Sequence, residues 1–226
     1  SVATGDYDWY VLELSSFQLD GMYRFRAHIG VLMNITPDHL DRYDHCFQNY
    51  VDAKMRITQN QNSRDWFVYS GDDEVIWREL PKSDLRARQL PFAAKNAVAS
   101  AAGDAFLLDG SFTASVGDRS VEIDTSKLQI RGLHNAYNAM AAALATLAAG
   151  VDPESVRRSL YDFAPVEHRL EPVPQRGGVL WIHAPKATHV GSVYSASDGG
   201  TRPAVALAGV TGPGNQSTPP HASAPT

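Results

Sequence analysis

Short runs of apolar and β-branched residues, separated by polar turns, recur along the first part of this chain. Runs of this kind predict buried strands when turn-forming residues bound them. Three are predicted, at residues 9–14, 28–35 and 66–69. Longer stretches with apolar residues at helical spacing lie between and after them. This alternation predicts an α/β fold with a mostly parallel sheet.

Three helices and one meander follow from the same pattern. Helices are predicted at residues 47–59 and 134–149, and Gly150 is suited to cap the second at its C-terminus. Asp152-Pro153 provides an N-cap and a first-turn proline for the third helix. Residues 105–130 alternate around Asp-Gly and Gly-Asp turn signals, which predicts a short antiparallel meander.

Three regions are predicted along the chain. Residues 1–165 form the first α/β unit. Residues 166–210 carry further predicted strands at 170–173, 179–182 and 204–207, which indicates a second, incomplete α/β unit. Residues 211–226 are rich in proline, serine, threonine and glycine and poor in large apolar residues, so a disordered tail is predicted.

Composition narrows the class of protein. The 226 residues are 43% hydrophobic and 20% charged, as in an ordinary globular protein. A net charge of −5 argues against a nucleic-acid or membrane-surface partner. No apolar run is long enough to span a membrane, and the single cysteine, Cys46, fits a reducing compartment. We therefore expect a cytoplasmic protein. A monomer is expected by default, since nothing in the composition indicates an oligomer.

Glu13 and His39 stand at the ends of two predicted strands. Side chains at the carboxyl ends of neighbouring parallel strands project into a shared crevice, where such folds bind ligands. A carboxylate at this place suits Mg²⁺. From position alone, Glu13 is equally well an exposed charge, and His39 is more simply a structural histidine in a turn.

Lys54 falls at the centre of an apolar face of the first predicted helix. That face is formed by Phe47, Tyr50, Val51, Ile57 and Thr58. A lysine in this place either extends its ammonium to solvent along its stem or is held inward with its charge altered or paired. The first alternative is the simpler one.

Asn135 and Asn138 lie three residues apart near the start of the strongest predicted helix. Asparagine is unfavourable inside helices because its amide competes for backbone hydrogen bonds. The pair therefore indicates either helix capping or recognition of a planar group with adjacent donor and acceptor atoms, such as an adenine edge.

Four motifs resemble the Mur ligase family, in particular the branch that adds D-glutamate. They are ELSSFQL at 13–19, NITPDHLDRY at 34–43, HNAYNAMAA at 134–142 and EHR at 167–169. The resemblance implies the family's central ATPase domain, here incomplete, followed by part of a Rossmann-like C-terminal domain. It also implies ATP-driven amide formation through an acyl phosphate, with UDP-muramoyl-peptide and D-glutamate as substrates.

The resemblance assigns roles to particular residues. Glu13, His39 and Lys54 would hold Mg²⁺, with Lys54 carbamylated, and Lys54, His39 and Arg169 would be catalytic. Asn135 and Asn138 would contact the adenine of ATP, while Arg169 and Lys186 would serve its phosphates or ribose. The substrate contacts would be Ser15, Gln18, His39 and Thr188. Arg169 is otherwise a surface arginine paired with Glu167 or Glu171.

Departures from the family pattern keep other functions open. The 226 residues contain no G-x-x-x-x-G-K-[ST] phosphate loop. Ala184 replaces an aspartate that would meet the ribose, and Pro213 replaces a lysine. We therefore expect a partial chain without ligase activity of its own. A non-catalytic nucleotide-binding module and a related ligase for another Mur substrate or for folate are the alternatives.

Overall fold

The computed structural model of this protein describes residues 7–95, 100, 103–164, 171–176 and 179–183. Two compact units are present, Ser1–Glu167 and His168–Thr226. In the described part, no helix is both long enough and apolar enough to cross a lipid bilayer.

Five α-helices, four short 3-10 helices and six strands make up the described part of the first unit. The strands are β1 (Ile29–Leu32), β2 (Trp66–Ser70), β3 (Arg88–Ala93), β4 (Gly103–Leu108), β5 (Ser111–Val116) and β6 (Arg119–Asp124). The α-helices are α1 (Ser16–Asp20), α2 (Phe47–Met55), α3 (Glu74–Glu79), α4 (Leu133–Ala148) and α5 (Pro153–Asp162). Short 3-10 helices lie at Leu40–Tyr43, Arg56–Thr58, Leu80–Lys82 and Thr125–Lys127.

The six strands form one sheet in the order β1-β2-β3-β4-β5-β6. Strands β1 to β4 pair in parallel, and β4, β5 and β6 pair antiparallel. The predicted α/β fold, mostly parallel with an antiparallel meander, is confirmed. The turn between β4 and β5 uses Asp109 and Gly110, both with positive φ, as a tight hairpin turn requires.

Apolar cores cover both faces of the sheet. Strand β2 is buried along its whole length because alternate side chains enter different cores. Trp66 and Val68 pack on the α4 side, whereas Phe67 and Tyr69 pack on the side of α1, α2 and α3. Burial on both faces is typical of a parallel strand, which explains why this run lacks polar alternation.

Helix α4 supplies the centre of the first core. Its fully buried side chains are Met140, Ala143, Leu144 and Leu147. Gly150, with φ of 92°, follows the helix, and its N–H donates to the carbonyl of Leu147. The next residue, Val151, donates to Thr146 at 3.0 Å, which completes the glycine-ended cap that the sequence predicted.

The prediction of a strand at residues 9–14 is wrong. This segment is irregular, and Val11 is 98% exposed. Apolar β-rich composition makes a strand only where a neighbouring backbone is available for pairing. Among the described residues, β1 pairs with β2 alone, and no strand pairs with residues 9–14.

Other element boundaries differ less. The strand predicted at 28–35 is shorter, Ile29–Leu32, and the helix predicted at 47–59 changes to a 3-10 turn after Met55. Strand β3 and helices α1 and α3 were not predicted. The first two strands predicted after residue 165 are observed as β7 (Glu171–Arg176) and β8 (Val179–His183), which pair antiparallel. The third, at 204–207, and the tail at 211–226 lie outside the described residues.

Candidate active site

Three parallel strands bring their carboxyl ends to one edge of the sheet. The chain leaves β1 towards Asn34, leaves β2 towards Asp72 and Asp73, and leaves β3 towards Ala94. In open α/β sheets this edge is where ligands bind.

Lys54 is half-buried and turned towards the exit of β1. Its ammonium donates to the backbone carbonyl of Asn34 at 3.2 Å, and Nζ lies 5.4 Å from the centre of the Tyr50 ring. Burial lowers the pKa of Lys54, although the charges of Asp38 and Asp73 act to raise it. The structure therefore favours the inward alternative over a lysine extended into solvent.

His39 occupies a left-handed backbone conformation at the start of the 3-10 helix Leu40–Tyr43, with φ of 51°. Few residues other than glycine adopt this conformation, and such positions concentrate at functional sites. Its N–H donates to Asp38 Oδ1 at 2.8 Å, and its Nε2 lies 3.5 Å from Asp38 Oδ2. The side chain is 56% exposed, so a ligand can reach the imidazole.

Helix α1 lies beside this histidine. The ring centre of Phe17 is 5.3 Å from the ring of His39, and the guanidinium of Arg42 lies 4.6 Å from the ring of Phe17. Ser15 and Gln18 form a capping box at the start of α1. Ser15 Oγ accepts from the Gln18 N–H at 3.3 Å, and Gln18 Oε1 accepts from the Ser15 N–H at 2.8 Å. Both residues thus shape the helix that carries Phe17 to His39.

Glu13 lies in the irregular segment before α1 and is exposed. Across the residues described, no three histidine, cysteine, aspartate or glutamate side chains are grouped closely enough to hold a metal ion. The structure links His39 and Lys54 through Asp38, which interacts with both. The place of Glu13 beside them stays a prediction.

Sequence reasoning missed Asp38 and Asp73. Asp73 Oδ2 accepts from the N–H of Ile35 at 2.9 Å, and its Oδ1 caps α3 through the N–H groups of Val75 and Ile76. This carboxylate therefore holds the exit of β1 against the start of α3. The sequence held a signal for Asp73, because the pair Asp72-Asp73 closely follows the strand predicted at 66–69. Glu13 was selected on the same ground, as a carboxylate at the end of an apolar run.

Tyr50 is a further residue at this site that sequence reasoning placed only in the apolar core. Burial raises its pKa to about 12, with smaller contributions from Asp38 and Tyr43. Its ring packs against Tyr43 at 5.5 Å between ring centres. Tyr50 is therefore a neutral aromatic wall beside the Lys54 ammonium.

Asn135 and Asn138 lie in the first turns of α4. The Asn135 amide donates to the carbonyl of Arg131 at 2.7 Å, and the Asn138 amide lies 3.4 Å from Asn135 Oδ1. Helix α4 begins after Gly132 with no side-chain cap. Because neither asparagine accepts from a free N–H of the first turn, the capping interpretation is wrong. Recognition of a ligand remains open to both amides.

The remaining predicted site residues cannot be placed. Arg169, Lys186 and Thr188 lie outside the described residues, as do Ala184 and Pro213. Their roles stay predictions from the sequence.

Comparison with known proteins decides the family. The family model of the Mur ligase middle domain matches residues 1–146. The chain belongs to the Mur ligase family. Strands β1 to β6 and the first part of α4, with its two asparagines, all lie within that match.

Among curated relatives of this Mur ligase chain are two UDP-N-acetylmuramoylalanine–D-glutamate ligases. The enzyme of Bacteroides thetaiotaomicron is 46% identical over 225 residues, covering 96% of this chain and 48% of the relative. That of Porphyromonas gingivalis is 42% identical over 218 residues, with the same coverage of both chains. The chain thus spans about half the length of the curated relatives it matches.

Solved Mur ligases share the fold. A structure of MurF from Acinetobacter baumannii aligns with a TM-score of 0.59 at 21% identity, covering 76% of this chain and 37% of that one. MurF from Thermotoga maritima in complex with ADP aligns with a TM-score of 0.52 at 17% identity, covering 76% and 38%. At these identities the likeness concerns the fold alone.

Proposed function

We propose that this chain is the central part of an ATP-dependent ligase that joins D-glutamate to UDP-N-acetylmuramoyl-L-alanine. The observation that carries the proposal is the 42–46% identity to ligases of that name across 96% of the chain. In this reaction the substrate carboxylate is phosphorylated to an acyl phosphate, and the amine of D-glutamate displaces the phosphate. Such phosphoryl transfer depends mainly on positioning and charge neutralisation.

ATP would lie at the carboxyl edge of the sheet. Support comes from the MurF fold neighbour in complex with ADP and from the two asparagine amides at the start of α4. Asn135 and Asn138 would meet the adenine. Arg169 and Lys186 would meet the phosphates or ribose, and Thr188 would lie near D-glutamate. Ser15 and Gln18, at the α1 capping box beside His39, would contact the muramoyl-peptide.

Glu13, His39 and Lys54 fit an Mg²⁺ ion by the chemistry of their donors, provided that Lys54 is carbamylated. A carboxylate and a carbamate supply the oxygen atoms that Mg²⁺ prefers, and His39 supplies an accessible nitrogen. The ion would neutralise phosphate charge in the transition state. Without carbamylation the Lys54 ammonium would repel it.

The surroundings of Lys54 support this modification. Burial lowers its pKa and so increases the share of neutral amine, the form that adds to CO₂. The new N–C bond forms as the nitrogen loses a proton, and the side chain becomes an anion. Because Asp38 and Asp73 lie close to Lys54, this anion requires a nearby cation. The carbamate and a metal ion would therefore stabilise each other.

A chimera tests the proposed function. The matching segment of the Bacteroides thetaiotaomicron ligase, 48% of its length, is replaced by this chain, and phosphate release dependent on D-glutamate is measured. We expect activity well above that of the same chimera with His39→Ala. A chimera that folds and binds ADP without turnover would instead favour the nucleotide-binding module. Turnover with a different amino acid or with folate would favour a related ligase.

A further inference from the structure

The carboxylate of Asp72 joins two strand ends to helix α4. Its Oδ2 accepts from the N–H of Ala94 at 2.6 Å, from the N–H of Lys95 at 3.0 Å and from the hydroxyl of Tyr137 at 2.6 Å. Hydrogen bonds to an ionised acceptor are short and comparatively strong. Asp72 therefore fastens α4 to the carboxyl ends of β2 and β3 at a single point.

Tyr137 connects the carboxylate of Asp72 to the first turns of helix α4. It is half-buried, and its ring packs at 6.0 Å between centres from Phe92 of β3. Burial, followed by the hydrogen bond to Asp72, raises its pKa, so the hydroxyl remains a donor at neutral pH. In the HNAYNAMAA motif, Tyr137 directly precedes Asn138 and follows Asn135 by two positions.

Besides Tyr137, only small side chains bury the start of α4 among the described residues, namely Ala136 and Ala139. Gly132 precedes it with φ of 98° and supplies no side-chain cap, and Leu133 is 40% exposed. The large, fully buried side chains of the helix begin only at Met140. Within the residues described, the bond from Tyr137 to Asp72 is thus the side-chain hydrogen bond that ties the first turns of α4 to the sheet.

We propose that Asp72 and Tyr137 are positioning residues that orient Asn135 and Asn138 towards the adenine base. This inference rests on the proposed function, because it requires a nucleotide beside α4. Neither residue contacts the base itself: the Asp72 carboxylate already accepts from three donors, and the Tyr137 hydroxyl is directed at Asp72. The specificity for adenine then depends on a side chain that never touches it.

The test compares the affinities of the 226-residue chain for ADP and IDP, measured by titration calorimetry. IDP carries a carbonyl in place of the adenine amino group, so it reports on base recognition separately from phosphate binding. We expect the wild type to prefer ADP. Tyr137→Phe should weaken ADP binding about threefold to tenfold and bring the ADP-to-IDP affinity ratio close to that of Asn138→Ala.

Tyr161→Phe is the matched control. It also removes one tyrosine hydroxyl that makes a hydrogen bond, here from the backbone N–H of Asp124, but on α5. This variant should leave the ADP-to-IDP ratio unchanged. Asp72→Asn, which keeps the size of the side chain, should shift the ratio in the same direction as Tyr137→Phe.

The outcomes separate the two proposals. If Tyr137→Phe and Asp72→Asn leave the ratio unchanged, or lower both affinities equally, Asp72 and Tyr137 are merely structural and the inference is overturned. If the wild type binds neither nucleotide, the inference is overturned, whereas the proposed function is decided separately by the turnover of the chimera. Should one variant not fold, as judged by circular dichroism, the other decides the result.

Discussion

At the scale of single residues, Lys54 shows how a fold changes the chemistry of a common side chain. It lies on an apolar helix face, its pKa is lowered by burial, and its ammonium rests on the carbonyl of Asn34. His39, a short distance along the chain, adopts a left-handed backbone that few residues accept. Both residues bear a local cost that an ordinary structural role would not require, which supports a functional role.

Removal of the Lys54 side chain should abolish ligation. In the chimera, Lys54→Ala is expected to lower phosphate release by about a hundredfold or more, since a group that holds transition-state charge is lost. Short carboxylates added to the assay should restore part of the activity by replacing the carbamate oxygens. Lys127→Ala is the control, because the ammonium of Lys127 also lies over a tyrosine ring, that of Tyr161, but in the 3-10 helix Thr125–Lys127 that follows β6. Equal activity of the two variants would remove Lys54 from the site.

The lowered pKa of Lys54 also predicts the direction of a stability change. Below that lowered pKa, the folded protein with an unmodified Lys54 carries a half-buried charge, so Lys54→Met should unfold at a higher urea concentration, with a gain below about 1 kcal/mol. As the pH rises through the lowered pKa, the folded wild type loses that charge while the unfolded chain is still protonated. The wild type therefore gains stability with rising pH, and its difference from Lys54→Met should narrow. A difference that widens with pH would contradict this account.

At the scale of elements, an apolar sequence pattern formed the predicted strand only where its backbone found a hydrogen-bonding partner. The meander was predictable because its turns require residues that accept a positive φ. Gly103, at the start of β4, is a second position where the backbone conformation requires glycine. Its φ is +137°, and a Cβ there would lie 1.9 Å from the carbonyl oxygen of Ser115 on β5. Residues 9–14 carried an equally strong strand pattern and formed none, because no described strand pairs with them.

Gly103→Ala should therefore destabilise the protein far more than Gly117→Ala. Gly117 also has a positive φ, +61°, but nothing lies within 4 Å of a Cβ built there. The expected loss for Gly117→Ala is about 1 kcal/mol of backbone strain, while the clash at Gly103 should cost several times as much. Urea unfolding of both variants measures the difference. Equal losses would show that strand β4 can move away from β5 without penalty.

At the scale of the whole molecule, one sheet supports two cores and presents one functional edge. Strand β2 contributes to both cores and β3 to the first, and the carboxyl ends of the two strands lead to Asp72, Asp73 and the backbone N–H groups of Ala94 and Lys95. The rigid centre of the fold therefore lies directly behind the candidate site. Pre-organisation of this kind favours catalysis by positioning.

Amide hydrogen exchange should reflect this arrangement. The amides of β2 are expected to exchange slowest, by global unfolding, because opening this strand breaks both cores, and those of the neighbouring β3 next slowest. Amides of residues 9–12 should exchange within the dead time of a manual experiment, as their segment is exposed and irregular. Protection of residues 9–12 comparable to that of β2 would reveal pairing of this segment in solution.

The sequence by itself determined the family and the α/β class, and it indicated some of the candidate residues. Motifs and periodicity are local properties, and the resemblance carried by ELSSFQL, NITPDHLDRY and HNAYNAMAA needed no coordinates. The same local logic predicted the caps at Asp152 and Gly150, which the structure confirmed.

Only the tertiary structure decided which groups meet. Asp38 and Asp73 approach Lys54, and Asp72 reaches Tyr137 across 65 positions of sequence. It also decided between alternatives that the sequence left open: Lys54 is held inward, and Asn135 and Asn138 do not cap their helix. The physical reason is that pairing, burial and charge depend on neighbours brought together by folding, which no local pattern along the chain contains.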